Sequence, residues 1–210
     1  MKYSHILWDF NGTLLDDMKA GIDSTNILLD ARSLPLIESV DAYRRVFGFP
    51  VIDYYKRLGF DFEKETYEAV AHEWVALYLE NAKKSRLYDG ASDVLKAVKA
   101  RGIEQIILSA TEKKMLEGQL LSLGIREYFS DVLGLGDIYA HSKIELGRAW
   151  MNKTRPARAV LIGDTEHDYE VARGIGAECI LVAGGHQSKE RLEACGARVL
   201  DDIKEIIKIL

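Results

Sequence analysis

The pattern of hydrophobic and polar positions changes near residue 86 of the chain. Beyond that point, short runs that are apolar throughout alternate with stretches in which apolar residues recur at helical spacing. The apolar runs cover residues 103–108, 159–162, 179–182 and 198–200, and a similar run covers residues 4–10. Such runs are typical of strands that are covered on both faces, so the pattern predicts a parallel sheet in an α/β fold.

Residues 16–85 show a different pattern. They contain few β-branched runs but several amphipathic stretches, of which residues 63–83 form the clearest. Apolar positions at helical spacing predict helices that bury one face. We therefore predict a helical domain, residues 16–85, inserted into a discontinuous α/β core domain formed by residues 1–15 and 86–210.

Composition and charge narrow the class of protein. Of the 210 residues, 48% are hydrophobic and 29% charged, which is ordinary for a globular protein with a buried core. The formal net charge is -5 and the chain has no block of lysine or arginine, so we expect no nucleic-acid partner. The two cysteines form no disulfide framework, and no stretch is long and apolar enough to span a membrane. We therefore expect a cytoplasmic protein without a membrane partner, as a monomer or weak homodimer.

Residues with a common chemistry follow the predicted strands. In open α/β sheets, ligands bind beyond the carboxyl ends of the strands. The residues at those ends, together with one at the start of a predicted helix, are Asp9, Asn11, Gly12, Thr13, Ser109, Ala110, Asp164, Asp168 and Lys143. Carboxylates and a backbone carbonyl suit Mg²⁺, whereas hydroxyls, loop amides and a lysine suit the oxygens of a phosphoryl group. A carboxylate held beside both can attack phosphorus and form an aspartyl phosphate.

Each of these residues, taken singly, also has a structural explanation. Asp9 belongs to a residue type that caps helices, and Ser109 or Thr111 could cap the helix that follows them. Lys143 could lie on the surface, and Asp168 could be a charge on a helix face. The conjunction favours the functional interpretation, because the ends of several strands, in the right order, carry the groups that phosphoryl transfer needs.

The same residues resemble the motifs of the haloacid dehalogenase-like (HAD) superfamily. DFNGTL at residues 9–14 resembles the DxDGT(L/V) motif, and Leu108-Ser109 resembles the second motif, an apolar run ending in Ser or Thr. Lys143 matches the third-motif lysine, and GDTEHD at residues 163–168 matches the GDxxxD fourth motif. The resemblance covers the whole chain. It is closest to subfamily I, which includes phosphoglycolate phosphatase-like enzymes, and it implies a Rossmann-like parallel sheet flanked by helices with an inserted all-α cap.

The resemblance also implies a role for each residue at the metal. Asp9 would be the nucleophile and a Mg²⁺ ligand. Asn11 would offer its main-chain carbonyl to the cation. Asp164 would bind the cation, and Asp168 would support it directly or through water.

A second group of residues would hold the phosphoryl group, as the resemblance implies. Gly12 and Thr13 would shape the loop whose amides, with Ser109 and the amide of Ala110, hold the phosphoryl oxygens. Lys143 would bridge the phosphate and the nucleophilic carboxylate.

Asn11 departs from the family pattern. Most phosphatases of the superfamily have at this position a second Asp, which protonates the leaving group and then activates water. An amide cannot shuttle a proton, and the loss of a general acid/base typically lowers a rate by ~10²–10⁴-fold. One interpretation is a slower phosphatase, or one whose leaving group needs no proton, such as an acyl phosphate, pyrophosphate or activated ester.

Two other interpretations of Asn11 stay open. Another group could supply the proton, and the candidates are His141, His167, Asp16, Asp17 or a residue of the cap. Alternatively, the site could bind phosphorylated ligands without turning them over. We favour the first two interpretations, because the full fourth motif and Lys143 make sense mainly for Mg²⁺-dependent phosphoryl transfer.

The inserted helical domain is expected to close over the site and to select the substrate. Arg44 and Arg45, in the stretch RRVFGFP, are candidates for a substrate-facing turn, and a solvated helix face is the alternative. The leading hypothesis is a Mg²⁺-dependent phosphatase that hydrolyses a small phosphorylated metabolite through an aspartyl phosphate. The alternative is a non-catalytic phospho-ligand-binding or regulatory protein on the same scaffold.

Overall fold

Six strands of the described residues form one parallel sheet in the computed structural model, which describes residues 2–136 and 143–210. The strands are β1 (His5–Trp8), β2 (Leu15–Asp16), β3 (Arg86–Leu87), β4 (Glu104–Glu112), β5 (Asp131–Leu135), β6 (Ala159–Gly163), β7 (Glu178–Val182) and β8 (Arg198–Leu200). The helices are α1 (Met18–Ala31), α2 (Val40–Val46), α3 (Val51–Arg57), α4 (Tyr67–Asn81), α5 (Ala91–Ala100), α6 (Lys113–Ser122), α7 (Lys143–Thr154), α8 (Glu166–Ile175), α9 (Lys189–Ala194) and α10 (Ile206–Ile209). The order across the sheet is β5-β4-β1-β6-β7-β8, which confirms the predicted α/β fold.

Strand β1 lies at the centre of the sheet and is buried on both faces. It pairs in parallel with β4 on one side and with β6 on the other. Ile6 and Trp8 pack into the apolar cluster that contains residues of α5 and α6, whereas Leu7 packs into the cluster of α7 and α8. The next strand of the sheet along the chain, β4, lies on one side of β1, whereas the later strand β6 lies on its other side. The carboxyl end of β1 is therefore a topological switch point, where α/β sheets bind ligands.

Helices α1 to α4 lie between β2 and β3 and have an apolar cluster of their own. Residues of all four helices contribute to this cluster, among them Leu28, Tyr43, Tyr55 and Val70. Strands β2 and β3 form a separate antiparallel pair at the two ends of this segment. The division into a helical domain, residues 16–85, and a core stays a prediction that rests on this cluster and this strand pair.

Helix α4 is shorter than the amphipathic pattern of residues 63–83 predicts. It begins after Thr66, whose hydroxyl accepts a hydrogen bond from the amide of Ala69 at 3.2 Å, and a 3₁₀ turn follows at Ala82–Lys84. A side-chain cap of this kind fixes a helix start more sharply than apolar spacing does. Among the described helices, none has the length and apolar character needed to cross a bilayer.

Strand β5 is not predicted by the hydrophobic pattern, because Gly134 interrupts its short apolar run. Its partner β4 is longer than expected and contains a bulge. From Leu108 to Glu112, β4 advances by four residues, whereas its partner β5 advances by only two. The bulged backbone approaches Gly134 so closely that a Cβ there would lie 2.7 Å from the Cα of Lys113 and 2.9 Å from the carbonyl oxygen of Thr111. A glycine is therefore required where the pattern gives no strand signal.

We expect Gly134→Ala to destabilise the protein by about 1–3 kcal/mol, since the added methyl group meets backbone atoms that cannot move cheaply. The matched control is Gly118→Ala in α6, where a Cβ would meet nothing within 4 Å. Removing glycine from a helix interior should stabilise the protein by roughly 0.5–1 kcal/mol. Urea unfolding of both variants measures the difference, and equal effects would contradict the crowding at the bulge.

Candidate active site

The structure brings side chains from distant parts of the chain together at the carboxyl edge of the sheet. Asp9 directly follows β1, and Asp164 directly follows β6. Asp168 lies in the first turn of α8, and Lys143 is the first residue of α7. Asp9, Asp164 and Asp168 each present a carboxylate oxygen within 4.8 Å of the other two, so these three buried carboxylates could hold a cation.

Lys143 is a buried residue of this site. Its Nζ donates hydrogen bonds of 2.6 Å to Oδ1 of Asp9 and 2.6 Å to Oδ1 of Asp168, and its side chain is only 3% exposed. The alternative of a surface lysine is therefore wrong. Burial alone would lower the pKa of Lys143, but the carboxylates of Asp168 and Asp9 raise it, so the ammonium stays charged.

The three carboxylates carry more negative charge than Lys143 balances. Burial, together with the neighbouring charges of Asp168 and Asp164, raises the pKa of Asp9 to about 8, although Lys143 opposes this shift. Burial and Asp168 also raise the pKa of Asp164 to about 6, against the opposing charge of His186. A site with such pKa values favours a further cation.

Asp168 has two structural tasks besides its contact with Lys143. Its Oδ2 accepts hydrogen bonds from the hydroxyl of Thr165 at 2.6 Å, from the amide of Thr165 at 3.0 Å and from the amide of Asp164 at 3.2 Å. Thr165 and Asp168 thereby form a capping box that begins α8. Asp168 is buried, so it is not a solvated charge on a helix face.

The loop after β1 is shaped around Asp164. Thr13 donates its hydroxyl proton to Oδ1 of Asp164 at 2.9 Å and lies 3.4 Å from Oδ2 of Asp9. Gly12 has φ +75, and a Cβ there would lie 2.4 Å from Oδ2 of Asp164 and 2.4 Å from Cδ2 of His186. The glycine is therefore needed both for the backbone conformation and for the close approach.

The bulge of β4 supplies Ser109 and Ala110, which line the same cavity as Asp9 and Lys143. The hydroxyl of Ser109 accepts a hydrogen bond from the amide of Thr111 at 3.1 Å. Neither Ser109 nor Thr111 caps the helix that follows, because the side chain of Glu112 accepts the hydrogen bonds from amides in the first turn of α6. The capping alternative for Ser109 and Thr111 is therefore wrong.

The side chain of Asn11 has partners for both of its polar atoms. Its Nδ2 donates to Oδ2 of Asp17 at 2.7 Å and to the hydroxyl of Tyr78 at 2.8 Å, and its Oδ1 accepts from the hydroxyl of Thr111 at 2.7 Å. Tyr78 also donates to Oδ2 of Asp17 at 2.7 Å. An amide fits here because it can donate toward a carboxylate, which a second carboxylate could not do.

His186 belongs to the site although the sequence analysis does not single it out. Its Nε2 lies 3.4 Å from Oδ1 of Asp17, its Nδ1 lies 2.8 Å from the hydroxyl of Tyr43, and its amide donates to Oδ2 of Asp164 at 2.7 Å. Burial would lower the pKa of His186, but the hydrogen bond and charge of Asp17 raise it to about 9. Burial would raise the pKa of Asp17, but the hydrogen bond and charge of His186 lower it. Applying the strand-end rule to β7 would have found this histidine.

The candidate proton donors have different environments. Both oxygens of Asp17 accept hydrogen bonds, since Oδ1 also accepts from the amide of Gly12 at 3.0 Å. Asp16 is exposed on β2 and does not line the cavity. His167 lines the cavity, and burial lowers its pKa. His141 lies outside the described residues.

Arg44 and Arg45 do not line the cavity that contains Asp9. Arg44 donates to the carbonyl oxygens of Gly185 at 3.0 Å and Gly184 at 2.6 Å, in the loop after β7. Arg45 is exposed. The structure therefore does not bring the two arginines to the site, and Arg44 instead ties α2 to the loop that carries His186.

A parallel α/β sheet with a buried lysine among three carboxylates at its carboxyl edge is suited to an enzyme that binds a cation and an anionic substrate. The chain belongs to the haloacid dehalogenase-like hydrolase family, whose model matches residues 6–182. This match confirms the resemblance that the motifs indicate.

Individual relatives are similar to almost the whole chain. A probable phosphatase, IndB, of Dickeya dadantii is 25% identical over 96% of this chain and 91% of its own length. A phosphoglycolate phosphatase of Nitrosococcus oceani is 26% identical over 98% of this chain and 95% of its own. A solved haloacid dehalogenase-like hydrolase of Streptococcus pneumoniae superposes with a TM-score of 0.86 at 16% identity, covering 99% of this chain and 98% of that one. The last similarity supports the fold alone.

We expect Asn11→Asp to make stability depend more steeply on pH. The new carboxylate would face Oδ2 of Asp17, which lies 2.7 Å from Nδ2 of Asn11. Two carboxylates this close share a proton, so the pKa of the pair is raised. The folded state then prefers the protonated pair, and its stability relative to the wild type falls as the pH rises above about 4, by about 1–3 kcal/mol at pH 8. Urea unfolding at pH 5 and pH 8 measures this.

The control is the double variant Asn11→Asp/Asp17→Asn, which restores one amide and one carboxylate. It should be more stable at pH 8 than the sum of the two single effects predicts, by about 0.5–3 kcal/mol. Additive effects would show that Asn11 and Asp17 are not directly coupled.

Proposed function

We propose that the protein is a Mg²⁺-dependent phosphatase that transfers the phosphoryl group of a small phosphorylated metabolite to Asp9 and then to water. The observation that carries this proposal is the buried carboxylate of Asp9, held by Lys143 at 2.6 Å in a cavity that Ser109 and Ala110 also line. The family match and the relatives named as phosphatases support it.

In this proposal Asp9 attacks phosphorus, and Lys143 orients its carboxylate and balances the charge of the incoming phosphoryl oxygens. Ser109 and the bulged backbone at Ala110 hold those oxygens on the other side. The buried walls exclude bulk water, which strengthens each of these electrostatic contacts.

The donor set of the site fits Mg²⁺, because buried carboxylate oxygens are the ligands this cation prefers. Asp9 and Asp164 would hold it, with the main-chain carbonyl of Asn11. Asp168, whose carboxylate lies beside those of Asp9 and Asp164, would support the cation directly or through water while it positions Lys143 and the start of α8. When bound, the cation would neutralise charge on the phosphoryl oxygens during transfer.

The hydrogen bonds around Asn11 favour a leaving group that needs no proton. Asn11 and Asp17 are both saturated with partners, and His186 has a partner at each ring nitrogen. A group that donates a proton during the reaction must reach the leaving oxygen, and these three are held by one another. A good leaving group removes that need.

We expect Mg²⁺ to stabilise the protein more at pH 8.5 than at pH 5.5. The raised pKa values of Asp9, about 8, and Asp164, about 6, mean that stability without the cation falls as the pH rises through these values. Mg²⁺ binds the deprotonated carboxylates, so its contribution is largest at high pH, about 2.7 kcal/mol at a concentration of 100 times Kd. Urea unfolding with MgCl₂, against NaCl of equal ionic strength, measures the gain. An equal gain at both pH values would contradict this site.

The function is tested by phosphate release from acetyl phosphate, pyrophosphate and a series of phosphate esters, with and without Mg²⁺. We expect turnover that Asp9→Asn reduces by at least about 10³-fold, since the nucleophile is lost. Asp16→Asn is the matched control, because Asp16 is a nearby but exposed carboxylate, and it should retain wild-type turnover. Tight binding of these compounds without phosphate release would instead support a non-catalytic binding protein.

A further inference from the structure

We infer that the substrate is a phosphate ester of a single-ring phenol, whose ring binds in the aromatic cavity beside Asp9; this inference rests on the proposed function. Two independent observations lead to it. The cavity walls beyond the reacting groups consist mostly of aromatic rings, and position 11 lacks the acid that an alkyl leaving group requires.

The segment that contains helices α1 to α4, between β2 and β3, supplies the aromatic walls of the cavity. A cavity of about 180 Å³ extends from Asp9 and Lys143 into helices α2 to α4. Among the described residues, the aromatic side chains that line it include Phe47, Phe49, Tyr54, Tyr55, Trp74 and Tyr78. An apolar cavity of about 150 Å³ is large enough to bind benzene, so a cavity of about 180 Å³ that also includes the space beside Asp9 limits the ligand to a single ring.

The polar atoms of Trp74, Tyr54 and Tyr78 have hydrogen-bond partners within the protein. Nε1 of Trp74 donates to the hydroxyl of Thr25 at 3.1 Å, and the hydroxyl of Tyr54 lies 3.4 Å from the same oxygen. Thr25 does not line the cavity. The hydroxyl of Tyr78 is bonded to Asp17. The walls therefore offer few free hydrogen-bonding groups for a sugar or another polyol, whereas ring faces and edges suit an aromatic ligand.

The charge of the lining disfavours a second anionic group on the substrate. Among the described residues, the cavity is lined by five carboxylates, those of Asp9, Asp17, Glu112, Asp164 and Asp168. It contains no arginine among those residues, and its one lysine, Lys143, already contacts two of the carboxylates. A carboxylate such as that of phosphoglycolate, or a second phosphate, would be buried among these carboxylates, and the charged histidine of the lining, His186, already faces Asp17 at 3.4 Å.

Phe49 marks the place where the aromatic walls meet the reacting groups. Its ring stacks on the ring of His167, with centroids 4.5 Å apart and planes inclined by 25°. His167 is the neighbour of Asp168 in the first turn of α8. A ring joined to the phosphoryl group through one oxygen would lie within reach of Phe49.

The chemistry of a phenyl ester suits a site with Asn11. A bond forms between Asp9 and phosphorus while the bond from phosphorus to the phenolic oxygen breaks, and that oxygen keeps the electron pair. A phenol ionises near pH 10 and water only near 15.7, so the phenolate departs without a donor in the site. Water then attacks the aspartyl phosphate and releases phosphate, which restores Asp9, and a proton passes to solvent.

The test compares initial rates with phenyl phosphate, benzyl phosphate, phosphoglycolate and acetyl phosphate at saturating Mg²⁺. We expect kcat/KM for phenyl phosphate to exceed that for phosphoglycolate by at least 10-fold. Benzyl phosphate has the same ring but leaves as an alkoxide, so its kcat/KM, which reports the step in which the leaving group departs, should be at least about 10²-fold lower.

A pair of variants tests the contact with the ring. Phe49→Ala should raise KM for phenyl phosphate by about 3- to 10-fold and leave KM for acetyl phosphate unchanged, because acetyl phosphate has no ring. Phe62→Ala is the matched control, since Phe62 is also a half-buried phenylalanine of the helical segment but does not line the cavity. It should change neither KM.

The outcomes separate this inference from the proposed function. A higher kcat/KM for phosphoglycolate than for phenyl phosphate, equal kcat/KM for the phenyl and benzyl esters, or equal effects of Phe49→Ala and Phe62→Ala would overturn the inference and leave the phosphatase intact. No phosphate release from any of the compounds, acetyl phosphate included, would overturn the proposed function itself.

Discussion

The buried ammonium of Lys143, held between the carboxylates of Asp9 and Asp168, is the interaction on which the rest of the site depends. Charges inside a protein are tolerated only where partners meet them at short range. Here the partners come from the end of β1 and the first turn of α8, and Lys143 itself begins α7. Asp168 also forms the capping box of α8. The charge balance of the site and the start of a helix are therefore one constraint.

The sequence predicts the parts of the fold that repeat a simple pattern. Buried central strands are apolar throughout, so β1, β6 and β7 are visible as runs. Strand β5 is not, because the bulge of β4 requires Gly134 in the middle of its short run. Lys143 is identified by its resemblance to a family motif, and hydrophobicity gives no sign that it is buried. The contact of Arg44 with Gly184 and Gly185 depends on a loop that the pattern does not place.

The same limit applies to Asn11. In the sequence, Asn11 is unexpected because the family motif that it resembles has an aspartate at this position. In the structure it faces Asp17, which lies six residues further along the chain and is held by Tyr78 as well. The carboxylate beside His186 therefore belongs to Asp17, and position 11 carries an amide. This arrangement joins Asn11 and Asp17 to Tyr78 and His186 from distant parts of the chain, and no local pattern encodes it.

The short pairing of β2 with β3 has a consequence for how such a protein can diverge. The chain leaves the sheet region at residues 15–16 and returns beside the same point at residues 86–87. A segment whose two connections are neighbours can be lengthened, remodelled or replaced without shifting the register of the strands that carry the reactive groups. Asp9, Lys143, Asp164 and Asp168 all lie outside this segment, so a new ligand preference can arise within it while these four residues keep their places.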